Sequence, residues 1–459
     1  MNRWGIGWLI VILLSVPVFL SRSSNPAMLE DTDTRVLLAE IRERQDPLAW
    51  FVGDWPLYNH FYRPISTLTF EIDNAIWGTN AAGYGLTNAL LCLASIFLLF
   101  WFLREVTDRP GVATLGAGLF ALWHGVGLGP LAYVPFALGV LAMVGSLLPK
   151  RRWWLGVAAF LMWGFVASEV VGNYDLWFRM MGWLPGRTAS TMTVFALLAM
   201  AAYARYERLS AERIPAPEST PLDPPATKGT TPVGKPPRAA WGWPVLAVVS
   251  AALALGSYEQ AVMLPLALLV VAGAMRWQRY RVRWGWHVLF WAVLGGYLAV
   301  RWAFLPAETS GYQEQQLRFG PGVWLSLGDY AMPELSTMWQ AWRVVDVPVL
   351  LAEIGLAGLI LSVPYKATFA FVGNVVAYVQ ARRDLCMAAT GWLLSVVAFL
   401  PMAWVKHFDH YHYWPMAMRA FFAAVMFGVA VRLTVSAVSL PPQQAPQRPD
   451  PAPGSLPRP

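Results

Sequence analysis

The sequence predicts an all-α, polytopic membrane protein. Of its 459 residues, 57% are hydrophobic and only 13% are charged, and its mean hydropathy is +0.45. A soluble domain of this length needs a more polar surface. Apolar runs recur along the chain, and within a bilayer helices of these lengths satisfy their own backbone groups. The net charge of +7 clusters in short loops and flanks, which is typical of membrane topology rather than of nucleic-acid binding.

The N-terminal segment is predicted to be an uncleaved first membrane helix. Its apolar run at 4–20 can span a bilayer, and no A-x-A-like cleavage site follows it. Further apolar runs, all predicted to be helical, lie at 85–103, 111–127, 130–148, 153–171, 188–204, 241–256, 258–275, 285–304, 344–380, 386–404 and 417–437.

Basic clusters predict the orientation of these helices, because cytoplasmic loops retain Lys and Arg. The clusters lie at 150–152, 205–238, 276–283 and 382–383. Placing them on the cytoplasmic side leaves both termini cytoplasmic and gives about twelve crossings. Between residues 307 and 382 only one net crossing fits, although apolar runs occur at 344–363 and 366–380. One of these two runs is therefore expected to be interfacial, re-entrant or merged into a longer tilted helix.

The same pattern divides the chain into two membrane halves. Residues 1–207 form the N-terminal half with an outer loop at 21–84, and residues 241–438 form the C-terminal half with an outer loop at 306–343. The Pro-rich segment 208–240 reads as a cytoplasmic linker, and the Pro-rich tail 439–459 as disordered.

Three carboxylates, Glu30, Asp31 and Asp33, follow the first helix in the outer loop. Such a cluster is typical of a solvated helix cap. Carboxylates at this spacing can also hold a divalent cation or take a proton from an acceptor hydroxyl. The spacing alone leaves all three interpretations open.

Aromatic residues and an arginine follow the acidic cluster. The aromatic residues are Trp55, Tyr58, His60, Phe61, Tyr62 and Trp77. Such rings are typical of a membrane interface, and 64–77 is predicted to form a short helix there, because Pro64 suits a first turn. Arg63 is a cation on the expected outer side, so it needs a partner such as a lipid phosphate or a carboxylate of the acidic pair.

Further polar groups are predicted on the outer side. Arg301 lies near the outer end of a membrane helix, where a cation either snorkels to the interface or is functional. Glu259 lies at the rim of a helical hairpin that has almost no loop, where a carboxylate often only caps a helix. A last group of polar side chains comprises His407, Asp409, His410 and His412. Their spacing also permits part of a transition-metal site.

Four segments together resemble the signatures of integral-membrane GT-C glycosyltransferases. They are FYRPISTLTFEIDNAIWGTNAAGYGLTNALL (61–91), SYEQAVMLPLALL (257–269), YLAVR (297–301) and DHYHYWP (409–415). The acidic pair Glu30-Asp31 precedes them. The chain is similar to bacterial relatives of protein O-mannosyltransferases and of TMTC-like and ArnT-like transferases. The resemblance implies a GT-C-like bundle of about 12 transmembrane helices whose outer catalytic loop carries short interfacial helices.

The resemblance implies transfer of a sugar from a polyprenyl-phosphate donor to a hydroxyl on a protein or glycan, with inversion, in contact with membrane lipids. Asp31 is then the general base, and Glu30 orients it or helps to bind metal. The implied donor-phosphate ligands are Arg63, Arg301, His410 and Arg419. Supporting side chains are Tyr62, Glu259, Asp409, Tyr411 and Tyr413. A divalent cation, Mg or Mn, would be held by Glu30, Asp31 and Asp33.

Four residues depart from the family pattern. Glu30 stands where Asp is common, Tyr258 where Lys is common, and Asp409-His410 where Glu-Arg is common. The histidine replaces a permanent cation by a titratable one, which weakens phosphate binding near neutral pH. The alternatives are a noncatalytic membrane scaffold and a lipid or glycan transporter or flippase. A transporter is expected to place polar residues near the bilayer midplane and to show symmetry between its halves.

Overall fold

The structure, a computed structural model, describes residues 2–124, 133–147, 153–171, 176, 178–210, 238–278, 280, 282–331, 384–406 and 408–438. These residues are mostly helical and contain no β-strand, which confirms the all-α prediction. Several predictions fall outside the described residues: the apolar runs 344–363 and 366–380, most of the linker 208–240, the tail 439–459 and His407.

The described residues form sixteen α-helices. They are α1 Arg3–Leu20, α2 Ala27–Glu30, α3 Thr32–Arg44, α4 Pro64–Trp77, α5 Ala81–Thr107, α6 Pro110–Leu122, α7 Tyr133–Ser146, α8 Trp153–Val171, α9 Arg187–Leu209, α10 Gly242–Leu255, α11 Leu264–Trp277, α12 Gly285–Phe304, α13 Gly311–Gln316, α14 Pro321–Ala331, α15 Asp384–Phe399 and α16 Tyr413–Val438. Each apolar run within the described residues is helical, as predicted. Short turns of 3-10 helix precede α11 (Glu259–Met263) and α16 (Asp409–His412).

Six helical segments in this part of the chain are long and apolar enough to cross a membrane: Arg3–Leu20, Ala81–Thr107, Glu259–Trp277, Gly285–Phe304, Asp384–Trp404 and Asp409–Val438. Shorter apolar helices comprise Pro110–Leu122, Ala137–Ser146, Trp154–Ala167 and Gly242–Leu255. This set indicates a membrane protein with several spanning helices. The finer expectation of twelve crossings remains a prediction.

The two sequence halves pack together in one bundle. Helix α9 lies between α5 and α10, and α16 packs against α6, α8 and α15. Small residues permit such close helix contacts. At Gly391 in α15, an added Cβ would lie 2.8 Å from the backbone nitrogen of Phe422 in α16. Any larger residue at that position would separate these two helices.

The loop between α1 and α4 folds as a small cap whose apolar side chains form a separate buried cluster with Phe70, Tyr84 and Leu184. In α3 the buried positions Thr34, Leu37, Leu38 and Ile41 share one face, as a 3.6-residue period requires. Helix α4 begins at Pro64 and ends before Gly78, whose φ of 58° suits glycine. The predicted helix at 64–77 is confirmed. Its placement along a membrane remains a prediction.

Helix directions divide the bundle into two ends. At the end that carries the cap, here called the loop end, α10 and α15 finish and α5, α11 and α16 begin. Contacts between residues far apart in sequence define it, such as Arg63 with Glu259 and Trp183 with His410. The opposite end, here called the linker end, contains the end of α9, the start of α15 and the turn between α5 and α6.

Candidate functional site at the loop end

Asp31 lies between α2 and α3 and makes two kinds of contact. Its Oδ2 accepts a hydrogen bond from the Thr34 backbone nitrogen at 3.2 Å, so it caps α3. The same oxygen accepts a hydrogen bond from Trp183 Nε1 at 3.2 Å. The cap interpretation is therefore confirmed, and the carboxylate is also tied to a residue 152 positions later in the chain.

The other two carboxylates of the acidic cluster are more exposed than Asp31. Glu30 ends α2 and is exposed. Asp33 keeps an exposed surface, but the protein atoms packed around its carboxyl, and then the charge of Asp31, raise its pKa above 3.8. Among the described residues, no group of three or more His, Cys, Asp and Glu side chains is placed to hold a metal ion. The divalent-cation site at these residues remains a prediction.

The rings of Trp183, His410 and Tyr258 form a row, here called the aromatic wall, which begins beside Asp31. The Trp183 ring lies 5.2 Å from the His410 ring, and His410 lies 6.3 Å from the Tyr258 ring, measured between centroids. His410 is 7% exposed, and its Nδ1 has no hydrogen-bond partner among the described residues. A buried polar atom without a partner costs free energy unless a ligand or water satisfies it.

Arg63 is enclosed on the far side of this wall. Its guanidinium forms an ion pair with Glu259 at 2.7 Å and two further hydrogen bonds to the same carboxylate at 2.9 and 3.0 Å. The rings of Trp55, Phe61 and Tyr258 lie 4.8, 4.2 and 4.6 Å from the guanidinium carbon. Arg63 was predicted to need a partner, either a lipid phosphate or a carboxylate of the acidic pair. The carboxylate partner is Glu259 instead, which lies outside that pair.

Arg301 lies at the other edge of the same region. It donates a hydrogen bond to the His60 carbonyl at 3.4 Å, and Gln313 donates to that same carbonyl at 3.2 Å. Tyr297 lies close enough to Arg301 to interact with its charge, and the Tyr62 and Tyr297 ring centroids are 5.8 Å apart. The Tyr62 hydroxyl donates a hydrogen bond to the Phe51 carbonyl at 3.0 Å. In the described part of the chain, no acidic side chain forms an ion pair with Arg301.

The 409–412 turn adds two of the predicted supporting residues to the site. Tyr411 is buried against Tyr258, with ring centroids 6.4 Å apart, and hydrogen-bonds with Tyr312. Burial raises the pKa of Tyr312, and the charge of nearby Asp33 raises it further. Asp409 lies 3.9 Å from Arg179, whose guanidinium covers the Trp183 ring at 5.1 Å.

Two predicted residues lie inside the bundle instead. Arg419 in α16 pairs with Glu169 in α8 at 2.5 Å, and both side chains are almost completely buried. Tyr413 shares a hydrogen bond of 2.9 Å with His124 Nε2. The structure therefore groups His410, Tyr411, Glu259 and Arg63 around Tyr258 and connects Asp31 to them through Trp183. Arg301 lies next to this group, whereas Arg419 and Tyr413 lie inside the bundle.

Sequence reasoning missed several residues of this region. Trp183 and Arg179 lie in the short segment before α9, which has no distinctive local pattern. Arg187, at the start of α9, pairs with Asp73 in α4 at 2.6 Å and donates to the Asn88 side chain at 2.7 Å. An arginine at the start of an apolar run was the available signal, because such cations are costly and need partners.

Three comparisons with known proteins add no relative. No protein-family model, no curated protein and no solved structure matches this chain. The geometry of the loop end is therefore the basis on which a function is proposed.

Proposed function

We propose that the protein is a membrane glycosyltransferase of the GT-C type. In this proposal it moves a sugar from a polyprenyl-phosphate donor to a hydroxyl acceptor at the loop end, on the outer face of a bacterial inner membrane. The observation that carries the proposal is the position of Asp31, whose carboxylate is tied through Trp183 to a cluster that contains His410, Tyr258 and Arg63. A base and cations close together are what this chemistry requires.

Asp31 is suited to general-base work. In the described part of the chain, all hydrogen bonds to its carboxylate reach Oδ2, so Oδ1 is oriented and available to an acceptor hydroxyl. As the acceptor oxygen forms its bond to the anomeric carbon, the bond from that carbon to the donor phosphate breaks on the opposite face. The hydroxyl proton passes to Asp31, and the sugar configuration inverts.

The departing lipid phosphate gains negative charge and needs a cation already in place. Arg301 suits this role better than Arg63, because Glu259 already takes the guanidinium of Arg63 through three short contacts. The free Nδ1 of His410 offers a further polar contact. Arg419 contributes little to this proposal, since Glu169 pairs with it inside the bundle.

The test is a transfer assay with purified protein, a set of polyprenyl-phosphate sugars and added Mg²⁺ or Mn²⁺. Asp31→Asn keeps a capping side chain but removes the base, so transfer should fall by about 10²–10⁴-fold. The matched control is Asp46→Asn, because Asp46 also caps a helical turn, with Leu48 N at 3.1 Å, outside the site. Arg301→Ala should reduce transfer by roughly 10²-fold.

Two outcomes would contradict the proposal. Equal transfer by wild type, Asp31→Asn and Arg301→Ala would exclude the assigned roles. If the intact donor crosses the membrane of reconstituted vesicles without sugar transfer, and Asp31→Asn does not change this movement, the protein would be a transporter. Loss of transfer in EDTA, with recovery on added Mg²⁺ or Mn²⁺, would support a cation at Glu30, Asp31 and Asp33.

A further inference from the structure

The linker end holds a buried carboxylate surrounded by arginines. Glu105 in α5 is almost completely buried and accepts a hydrogen bond from Trp101 Nε1 at 3.1 Å. The guanidinium groups around it lie at 3.5 to 4.0 Å and belong to Arg104, Arg205 and Arg208. Arg208 also pairs with Asp108 at 2.9 Å.

A second carboxylate at this end is arranged in the same way. Asp384, in the first turn of α15, is buried between Arg109 and Arg432, and it forms an ion pair with each of them. These two arginines remain about one-third exposed, at 35% and 31%. The two clusters together hold five arginines and three carboxylates, so positive charge is in excess and faces outwards.

An apolar groove begins beside the second cluster. It runs between α11 and α15, has a volume of about 700 Å³, and is lined among others by Gly273, Trp277, Leu385, Ala389 and Leu393. Leu385 directly follows Asp384. On the other wall, Trp277 directly follows Arg276, which is exposed.

The end of α11 is also tied to the first arginine cluster. Gln278 donates a hydrogen bond to the Val106 carbonyl at 2.9 Å, next to Glu105. The groove thus has at its linker end Leu385, which follows Asp384 and its partners Arg109 and Arg432, and Trp277, which follows Arg276. A basic surface between membrane helices at the cytoplasmic side is where anionic lipid headgroups bind.

We infer that the linker end binds one anionic phospholipid. Its phosphate contacts the exposed edges of Arg276 and Arg432, and one acyl chain fills the groove between α11 and α15. Charge complementarity selects the headgroup, since guanidinium groups form charge-assisted hydrogen bonds with phosphate oxygens. The apolar lining of the groove selects the chain.

The test measures binding of phosphatidylglycerol and of phosphatidylcholine with the same acyl chains to the detergent-purified protein by native mass spectrometry. Phosphatidylglycerol should bind about tenfold more tightly than phosphatidylcholine, because both lipids carry a phosphate but the choline cation of phosphatidylcholine is repelled by the arginines. Arg276→Gln and Arg432→Gln should each reduce that preference several-fold. Arg276 forms no ion pair with a described acidic residue, so its variant should keep the fold.

A glycine pair tests the groove itself. A Cβ added at Gly273 meets no atom within 4 Å, and the same holds for Gly296 in α12, which lies outside the groove. Gly273→Leu should fill the groove and reduce binding of both lipids about tenfold, whereas Gly296→Leu should leave binding unchanged.

Three results would overturn the inference. The first is equal binding of the two lipids by wild type. The second is a lower melting temperature of Gly273→Leu than of Gly296→Leu in lipid-free detergent, which would indicate that a segment of this chain fills the groove. The third is a dimer that Gly273→Leu dissociates, which would indicate that a second copy fills it.

Discussion

The two ends of the bundle differ in how their buried charged side chains are paired. At the loop end a single arginine, Arg63, meets a single carboxylate, Glu259, inside a shell of aromatic rings. At the linker end a single carboxylate, Glu105, meets several arginines that remain partly exposed. The first arrangement is closed and balanced. The second leaves excess positive charge that can reorganise around a partner.

The largest effect should come from breaking the closed pair. Glu259→Gln removes the charge but keeps the shape, so Arg63 is left as a buried cation without a counterion, at a cost of about 3 kcal/mol. Thermal or denaturant unfolding in detergent measures this. The same change at the exposed Asp108 of the linker end, Asp108→Asn, should cost at most about 1 kcal/mol. Equal losses at both positions would remove the distinction between the two ends.

A middle-sized effect is expected for Glu105→Gln at the linker end. The carboxylate is buried, but the surrounding arginines can turn towards water, so the loss should be about 1–2 kcal/mol. Raising the salt concentration should shrink this loss, because exposed guanidinium groups are screened. The loss in Glu259→Gln should be insensitive to salt. A loss of stability in Glu105→Gln that does not depend on salt would mean that the buried charge at the linker end is as shielded from solvent as the one at the loop end.

The smallest effect concerns protons at the loop end. The pKa of Asp33 is raised above 3.8 by burial and by Asp31, so the folded chain binds this proton more tightly than the unfolded chain does. The resulting stability is fully present below pH 3.8 and is lost as the pH rises through the folded pKa. In unfolding midpoints measured over a series of pH values, Asp33→Asn should remove this slope of stability against pH, while Asp46→Asn should retain it. An unchanged slope in Asp33→Asn would show that another group carries it.

Local signals in the sequence predicted the parts of the fold that depend on neighbouring residues. Pro64 and Gly78 bracket α4, and the near absence of a loop around Glu259 predicted the turn between α10 and α11. Apolar length predicted the long helices, because lipid requires helices to satisfy their own backbone groups. Helix α3 was not predicted, since its apolar positions are separated by charged residues in a segment that reads as a polar loop.

The arrangement of the site depends on contacts that no local pattern contains. Arg63 and Glu259 are 196 residues apart, and Asp31 and Trp183 are 152 apart. Sequence reasoning identified Arg63 as a cation in need of a partner but could not name Glu259. It also grouped Arg419 with the outer cations, although Arg419 lies near the start of the predicted helix 417–437. Packing against Glu169 in α8 decides in favour of the bundle.

The distance in sequence between Arg63 and Glu259 also has a consequence for biosynthesis. At about 5–20 residues per second, the ribosome needs about 10–40 s to make the 196 residues that separate them. During that interval Arg63 lacks its counterion Glu259, and the aromatic rings of the cap cannot close around a neutralised arginine. The cap at the loop end is therefore completed only after half of the bundle has been inserted. Variants that slow insertion of α10 and α11 should expose the cap to proteases and chaperones even where the finished protein is stable.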